Sequence, residues 1–111
     1  GNLVCLGQDD ISDAYYAYGR NNMLEVAFLG SHLLWMTTRP EMEILYDMIT
    51  TMAAECIGLK DFKLAVGSPA NLVVLNAPNT LEALRYHEEP RYVISHGKLV
   101  DQEKMEAMGR A

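Results

Sequence analysis

The rhythm of apolar and polar positions changes twice along this chain. Residues 3–6 read Leu-Val-Cys-Leu, an unbroken apolar run closed by Gly7, which predicts a strand buried on both faces as in a parallel sheet or barrel. An acidic and aromatic stretch follows from Asp9 to Gly19, with Tyr15, Tyr16 and Tyr18, and predicts a loop. Asn21 or Asn22 then caps a helix to about Met36, whose sequence MLEVAFLGSHLLWM is apolar on nearly every side. Such a helix has to be covered from several directions. A second helix opens at Thr38-Arg39-Pro40-Glu41, a capping box with proline in the first turn. Met42, Leu45, Tyr46, Ile49, Met52, Ala53 and Cys56 give it one apolar face, and Gly58 stands where a left-handed residue ends a helix.

Beyond Leu64 the pattern shortens to strands, at residues 64–66 and 72–75 on either side of Gly67-Ser68-Pro69. Asn79 and Glu82 form a second capping box for a short helix to about Tyr86 or His87, and Pro90 returns the chain to extended structure. Residues 91–95 and 98–100 pair around His96-Gly97, and residues 101–111 predict a frayed helix or an unstructured end. One parallel-type strand cannot satisfy both of its own edges. Its neighbours have to come from outside the first 60 residues.

Composition narrows the function classes. Half of the 111 residues are apolar and 22% are charged, a globular balance. A net charge of -6 with no basic run gives no electrostatic reason for a nucleic-acid or anionic-membrane partner. The longest apolar stretch, residues 23–36, holds Glu25, Ser31 and His32 and falls short of the roughly 20 residues of a bilayer span. Cys5 and Cys56 have neither metal-type spacing nor a disulfide framework around them, and read as buried reduced thiols of a cytoplasmic protein. The first residues have no signal-peptide pattern and read as the middle of a longer chain.

The run LGQDDISDAYYAYG, residues 6–19, resembles the end of the eighth barrel strand and the following loop of bacterial cytosine deaminases, in the amidohydrolase superfamily. Residues 57–61 (IGLKD), 65–75 (AVGSPANLVVL) and 95–100 (SHGKLV) are similar to that superfamily's return into its small β-sandwich. The resemblance covers about residues 3–100. It implies an α/β chain that is the C-terminal fragment of a (β/α)8 metal-dependent hydrolase barrel. The last strand, active-site loop and two helices would occupy residues 1–60, part of the sandwich with one short helix 61–100, and a tail 101–111.

The resemblance also implies a site. Family members draw their metal ligands from a His-x-His pair, two further histidines and an aspartate ending the last strand. Only the aspartate has a counterpart here, Asp9, and His32, His87 and His96 match none of the ligands. One divalent metal ion, zinc or iron, is therefore expected in the full-length enzyme and none in this chain alone. A metal lowers the pKa of its water towards ~7, and a carboxylate touching both can accept the proton. Asp9 would be metal ligand and catalytic base together, the water attacking the ring carbon that bears the exocyclic amine. Asp10 is expected on the substrate side, or else as a loop cap through an Asx-type bond. Tyr15 stands where cytosine deaminases place a tryptophan against the pyrimidine, and Gln8 replaces a histidine.

The remaining polar suspects have structural readings. His32 reads as a hydrogen-bonded core or boundary residue, His87 and His96 as exposed turn residues, and Asp13 as a loop brace. The expected partners are a small heterocyclic substrate and the missing N-terminal part of the barrel, with a homo-oligomer left open. The alternatives are hydrolysis of another C–N bond, as in a triazine or cyclic amide, and a non-catalytic fragment that only packs with a partner chain.

Overall fold

The computed structural model describes residues 2–8 and 21–104. Among them are four helices, α1 (Met23–Leu33), α2 (Arg39–Ile49), α3 (Thr51–Cys56) and α4 (Thr80–Tyr86), and three strands, β1 (Leu72–Val74), β2 (Tyr92–Ser95) and β3 (Lys98–Leu99). The result is a small mixed α/β unit.

Helices α1, α2 and α4 start where their caps predict. The Asn22 side chain accepts from the Leu24 N–H, and Asn79 accepts from the Glu82 N–H. Glu41 reaches back so that its Oε2 accepts from both the N–H (2.9 Å) and the hydroxyl (2.8 Å) of Thr38. Those two bonds, the backbone one first, hold the Glu41 carboxyl below the usual carboxylate range.

The long second helix expected from sequence is broken. Thr50 takes φ -125°, ψ -95°, its N–H bonds back only to the Asp47 carbonyl, and its hydroxyl donates to the Tyr46 carbonyl at 2.8 Å. Two successive threonines, β-branched and able to bond their own backbone, disfavour the continuing helix at this point. The break changes the buried face. Met48 and Ala54 are buried, whereas Cys56 is exposed rather than buried as its spacing suggested. α3 ends in a Schellman arrangement, with Leu59 N–H on the Ala54 carbonyl, Gly58 N–H on that of Glu55, and Gly58 at φ +80°.

The core lies where α1, α2 and α4 meet, around Leu24, Ala27, Leu45, Met48, Ala83 and Leu84. Ala27 and Leu45 are wholly enclosed. Beside it β1, β2 and β3 form an antiparallel sheet in that order, with Leu72 opposite Ile94 and Ile94 opposite Leu99. His96 and Gly97 both have positive φ, as a tight type I′ hairpin turn needs. The His96 N–H bonds to Asn71 Oδ1 (2.8 Å) and the Gly97 N–H to the Ala70 carbonyl (3.0 Å), tying the turn to the approach to β1.

Two expected strands are not formed. Residues 64–66 make a turn with Leu64 and Val66 almost fully exposed. Residues 3–6 run without a strand ladder, and Leu3 and Val4 are about half exposed. Both runs are apolar enough for buried strands, but a strand needs hydrogen-bonding neighbours and the described residues offer none.

Candidate active-site segment and its anchors

Asp9, Asp10 and Tyr15, the residues expected to carry the chemistry, and Asp13 beside them, lie outside the described residues. The structure does describe where the chain leaves for that segment and where it returns.

On the upstream side, Leu6 is the anchor. Its N–H donates to the Met48 carbonyl of α2 at 3.1 Å, and its side chain packs against the helical core. It settles into a notch made by Gly30 of α1. A Cβ at Gly30 would meet Leu6 Cδ1 at 3.2 Å and Leu45 Cδ2 at 3.6 Å, so glycine here makes room for leucine. Gln8, the last described residue before the segment, is half-buried.

On the downstream side the chain re-enters through Asn21, left-handed at φ 56°, into Asn22. Asn22 Oδ1 caps α1 by accepting from the Leu24 N–H at 3.0 Å, and Asn22 Nδ2 donates to the His87 carbonyl at 2.8 Å. His87 corrects its sequence reading. It is half-buried and left-handed (φ 34°, ψ 48°), with its ring 4.8 Å from that of Phe28 on α1. Nothing in residues 85–90 marks that position for burial, because its partners sit on a helix far away in sequence.

The three histidines are occupied locally. Nδ1 of His32 lies 2.9 Å from the Phe28 carbonyl, Nδ1 of His87 lies 3.1 Å from the Leu84 carbonyl, and Nδ1 of His96 lies 3.1 Å from the Ser95 hydroxyl. Since a carbonyl only accepts, the first two Nδ1 atoms carry hydrogen. His32 is exposed at the helix boundary with its ring edge-on to Phe28. No three His, Cys, Asp or Glu side chains converge among the described residues, so these residues do not by themselves fit a metal ion. Both cysteines are free thiols. A hydrogen bond with Cys5 comes first among the causes that raise the Cys56 pKa.

The sequence profile of the amidohydrolase family matches residues 1–101. The chain belongs to the amidohydrolase family. Within that family it is 29% identical over 100 residues to the N-isopropylammelide isopropyl amidohydrolase of Pseudomonas sp. strain ADP, which covers 89% of this chain and 25% of that protein. It is 30% identical over 102 residues to the pterin deaminase of Rhizobium rhizogenes, covering 91% of this chain and 23% of that protein. Among amidohydrolase structures, that of 5-methylcytosine deaminase from Klebsiella pneumoniae liganded with phosphonocytosine superposes with a TM-score of 0.77 at 35% identity. The match covers 88% of this chain and 24% of that one. The same enzyme liganded with 5-fluorocytosine gives 0.78 over 90% of this chain. This chain thus spans about a quarter of the length of the amidohydrolases it matches. No helix among its described residues is long and apolar enough to cross a membrane.

Proposed function

We propose that this chain is the C-terminal part of a metal-dependent deaminase acting on a small aminated heterocycle, cytosine or a related pyrimidine. The observation that carries the reading is the Asp9-Asp10 pair with Tyr15, set in a chain 35% identical to a 5-methylcytosine deaminase. The zinc or iron implied by the family would supply an activated water at neutral pH. Asp9 contributes one carboxylate, and the other donors come from outside this chain. Asp9 takes the proton from the attacking water, which adds to the ring carbon bearing the amine. The ring nitrogen takes a proton from a donor outside this chain as the water adds. The C–N bond breaks with ammonia leaving on the proton held by Asp9, and the added hydroxyl returns its own proton to that donor as it becomes a carbonyl. Asp10 and Tyr15 face the ring, and Tyr15 gives it an aromatic wall. Two free thiols suit a reducing, cytoplasmic setting.

A second reading has its own support. The Pseudomonas relative is named for hydrolysis at an N-isopropyl substituent, so loss of an alkylamine rather than ammonia is the alternative.

The test is product release by the complete protein loaded with zinc or iron, given cytosine, 5-methylcytosine, isocytosine, pterin and an N-alkylaminotriazine. Ammonia from an aminated pyrimidine is the expected product, and Asp9→Asn should lower kcat by about 10²–10⁴-fold. Alkylamine release alone selects the second reading, and no release from any substrate overturns both. The isolated chain should show no turnover and, by calorimetry, no tight stoichiometric metal site. Tight binding would overturn the need for outside donors.

A further inference from the structure

We infer that Cys5 and Cys56 form a redox pair, joined by a reversible disulfide when the protein meets an oxidised low-molecular-weight thiol such as glutathione disulfide. The bond staples the run at residues 3–6 to the end of α3.

The two thiols meet although α1, α2 and most of α3 lie between them in sequence. Both are free, Cys56 exposed and Cys5 half-buried, and their side chains are hydrogen-bonded to one another. Each is also held by its neighbours. Leu6, next to Cys5, donates its N–H to the Met48 carbonyl at 3.1 Å and packs its side chain on the helical core. Cys56 is the last residue of α3, where the Ile57 N–H bonds to the Ala53 carbonyl at 3.3 Å and the Leu59 N–H to the Ala54 carbonyl at 2.9 Å. The contact is a product of the fold rather than of two loose ends. Bond formation brings the sulfurs from this contact to about 2.0 Å.

The difference in exposure assigns each thiol a step. Cys56 is the one a small disulfide reaches. Its thiolate attacks one sulfur of the reagent, the reagent's S–S bond breaks, and one small thiolate leaves and takes up a proton. Cys5, already in contact, then loses its proton and attacks the Cys56 sulfur, and the second small thiol leaves. Two protein thiols have lost two electrons and two protons, and one small disulfide has become two thiols. The resting state is the dithiol. The bond with Cys5, and to a smaller extent the charge of Glu55, push the Cys56 thiol above its ordinary range, which keeps its thiolate scarce and the exchange slow. Leu6 ties the entering run to α2, and the disulfide ties it to α3 as well.

The test uses the complete enzyme, reduced and then incubated with graded ratios of oxidised to reduced glutathione, quenched with acid, alkylated and mapped by mass spectrometry. A joined peptide pair holding Cys5 and Cys56, short by two hydrogen masses and split again by dithiothreitol, is the expected product. Alkylation of Cys56 should fall at least about tenfold as that pair appears. Cys5→Ser should halt at the glutathione adduct on Cys56, because the second attack is lost, and Cys56→Ser should leave Cys5 unlinked. If either variant fails to fold, the unmodified enzyme decides by its own peptide map. Both thiols fully alkylated at every ratio would overturn the pair, and so would a lasting glutathione adduct on Cys56 without the joined peptide. The joined form should also need more urea to unfold, since the bond closes a long loop of the unfolded chain, and an equal midpoint would overturn the staple. None of these readouts uses catalysis, so a failure of the deaminase reading is distinguishable from a failure of the pair.

Discussion

The helical junction and the sheet side of this molecule treat apolar surface in opposite ways. At the junction, Ala27 and Leu45 are fully enclosed, and Leu24, Met48, Ala83 and Leu84 nearly so. On the other side Leu64, Val66 and Leu99 are 90%, 107% and 64% exposed, and at the C-terminal end of α1 Leu33 and Trp35 are 81% and 86% exposed. Leucine occurs in both regions, so the presence of large aliphatic side chains does not by itself separate them. What separates them is the supply of covering residues: the junction finds them among the described residues, whereas for the second region the described residues supply none. Large apolar side chains this exposed are unusual for a self-contained unit, and the chain is about a quarter as long as the relatives it matches.

The contrast can be broken most forcefully at Leu45. In the complete enzyme Leu45→Ala should cost about 2–5 kcal/mol in urea denaturation, because the site is enclosed on all sides. A cost near zero would mean that the junction is not self-contained. Gly30→Ala should cost less, about 1–3 kcal/mol, since its Cβ presses on Leu6 and the leucine must shift. Activity should fall with it if Leu6 anchors the Asp9 end. The double change Leu64→Lys with Val66→Lys sharpens the comparison from the exposed side. It should raise the solubility of the isolated chain and leave its stability within about 0.5 kcal/mol, yet destabilise the complete enzyme. Equal behaviour in both preparations would remove the case for an outside cover.

The smallest effect is a pH effect at the α2 cap. The folded pKa of Glu41 lies below its ordinary 4.5 because Thr38 bonds to the ionised form. Its contribution is therefore present in full above 4.5 and is lost as pH falls through the lower folded value. Glu41→Gln should flatten that acid limb of helix stability, its small cost being fully present at neutral pH and vanishing as pH falls below the folded value. A loss of stability at pH 7 comparable to that of Leu45→Ala would contradict it.

Local chemistry was the legible part of the sequence. Asn22, Thr38 with Glu41, Asn79 with Glu82, Gly58 and the His96-Gly97 turn each act through neighbours a few residues away, so each announces its element. The two missing strands, residues 3–6 and 64–66, fail for the opposite reason: strand formation depends on partners that the run itself does not name. The Thr50 break was legible only in part, because two threonines lower helix propensity without fixing the register that follows. Of the candidate site, Asp9, Asp10 and Tyr15 were read from their resemblance to a family loop. The Asn22–His87 link was invisible, because its acceptor is a backbone carbonyl and any residue carries one.

Helix α1 has a role that its sequence as a core helix does not suggest. Gly30 near one end receives Leu6, and Asn22 caps the other. Eight residues of helix separate those posts, about 12 Å at 1.5 Å per residue, and a helix changes that distance only by breaking. It is a ruler. The chain thus leaves the core at Leu6 and comes back to it at Asn22 from two points that the helix keeps at a set separation.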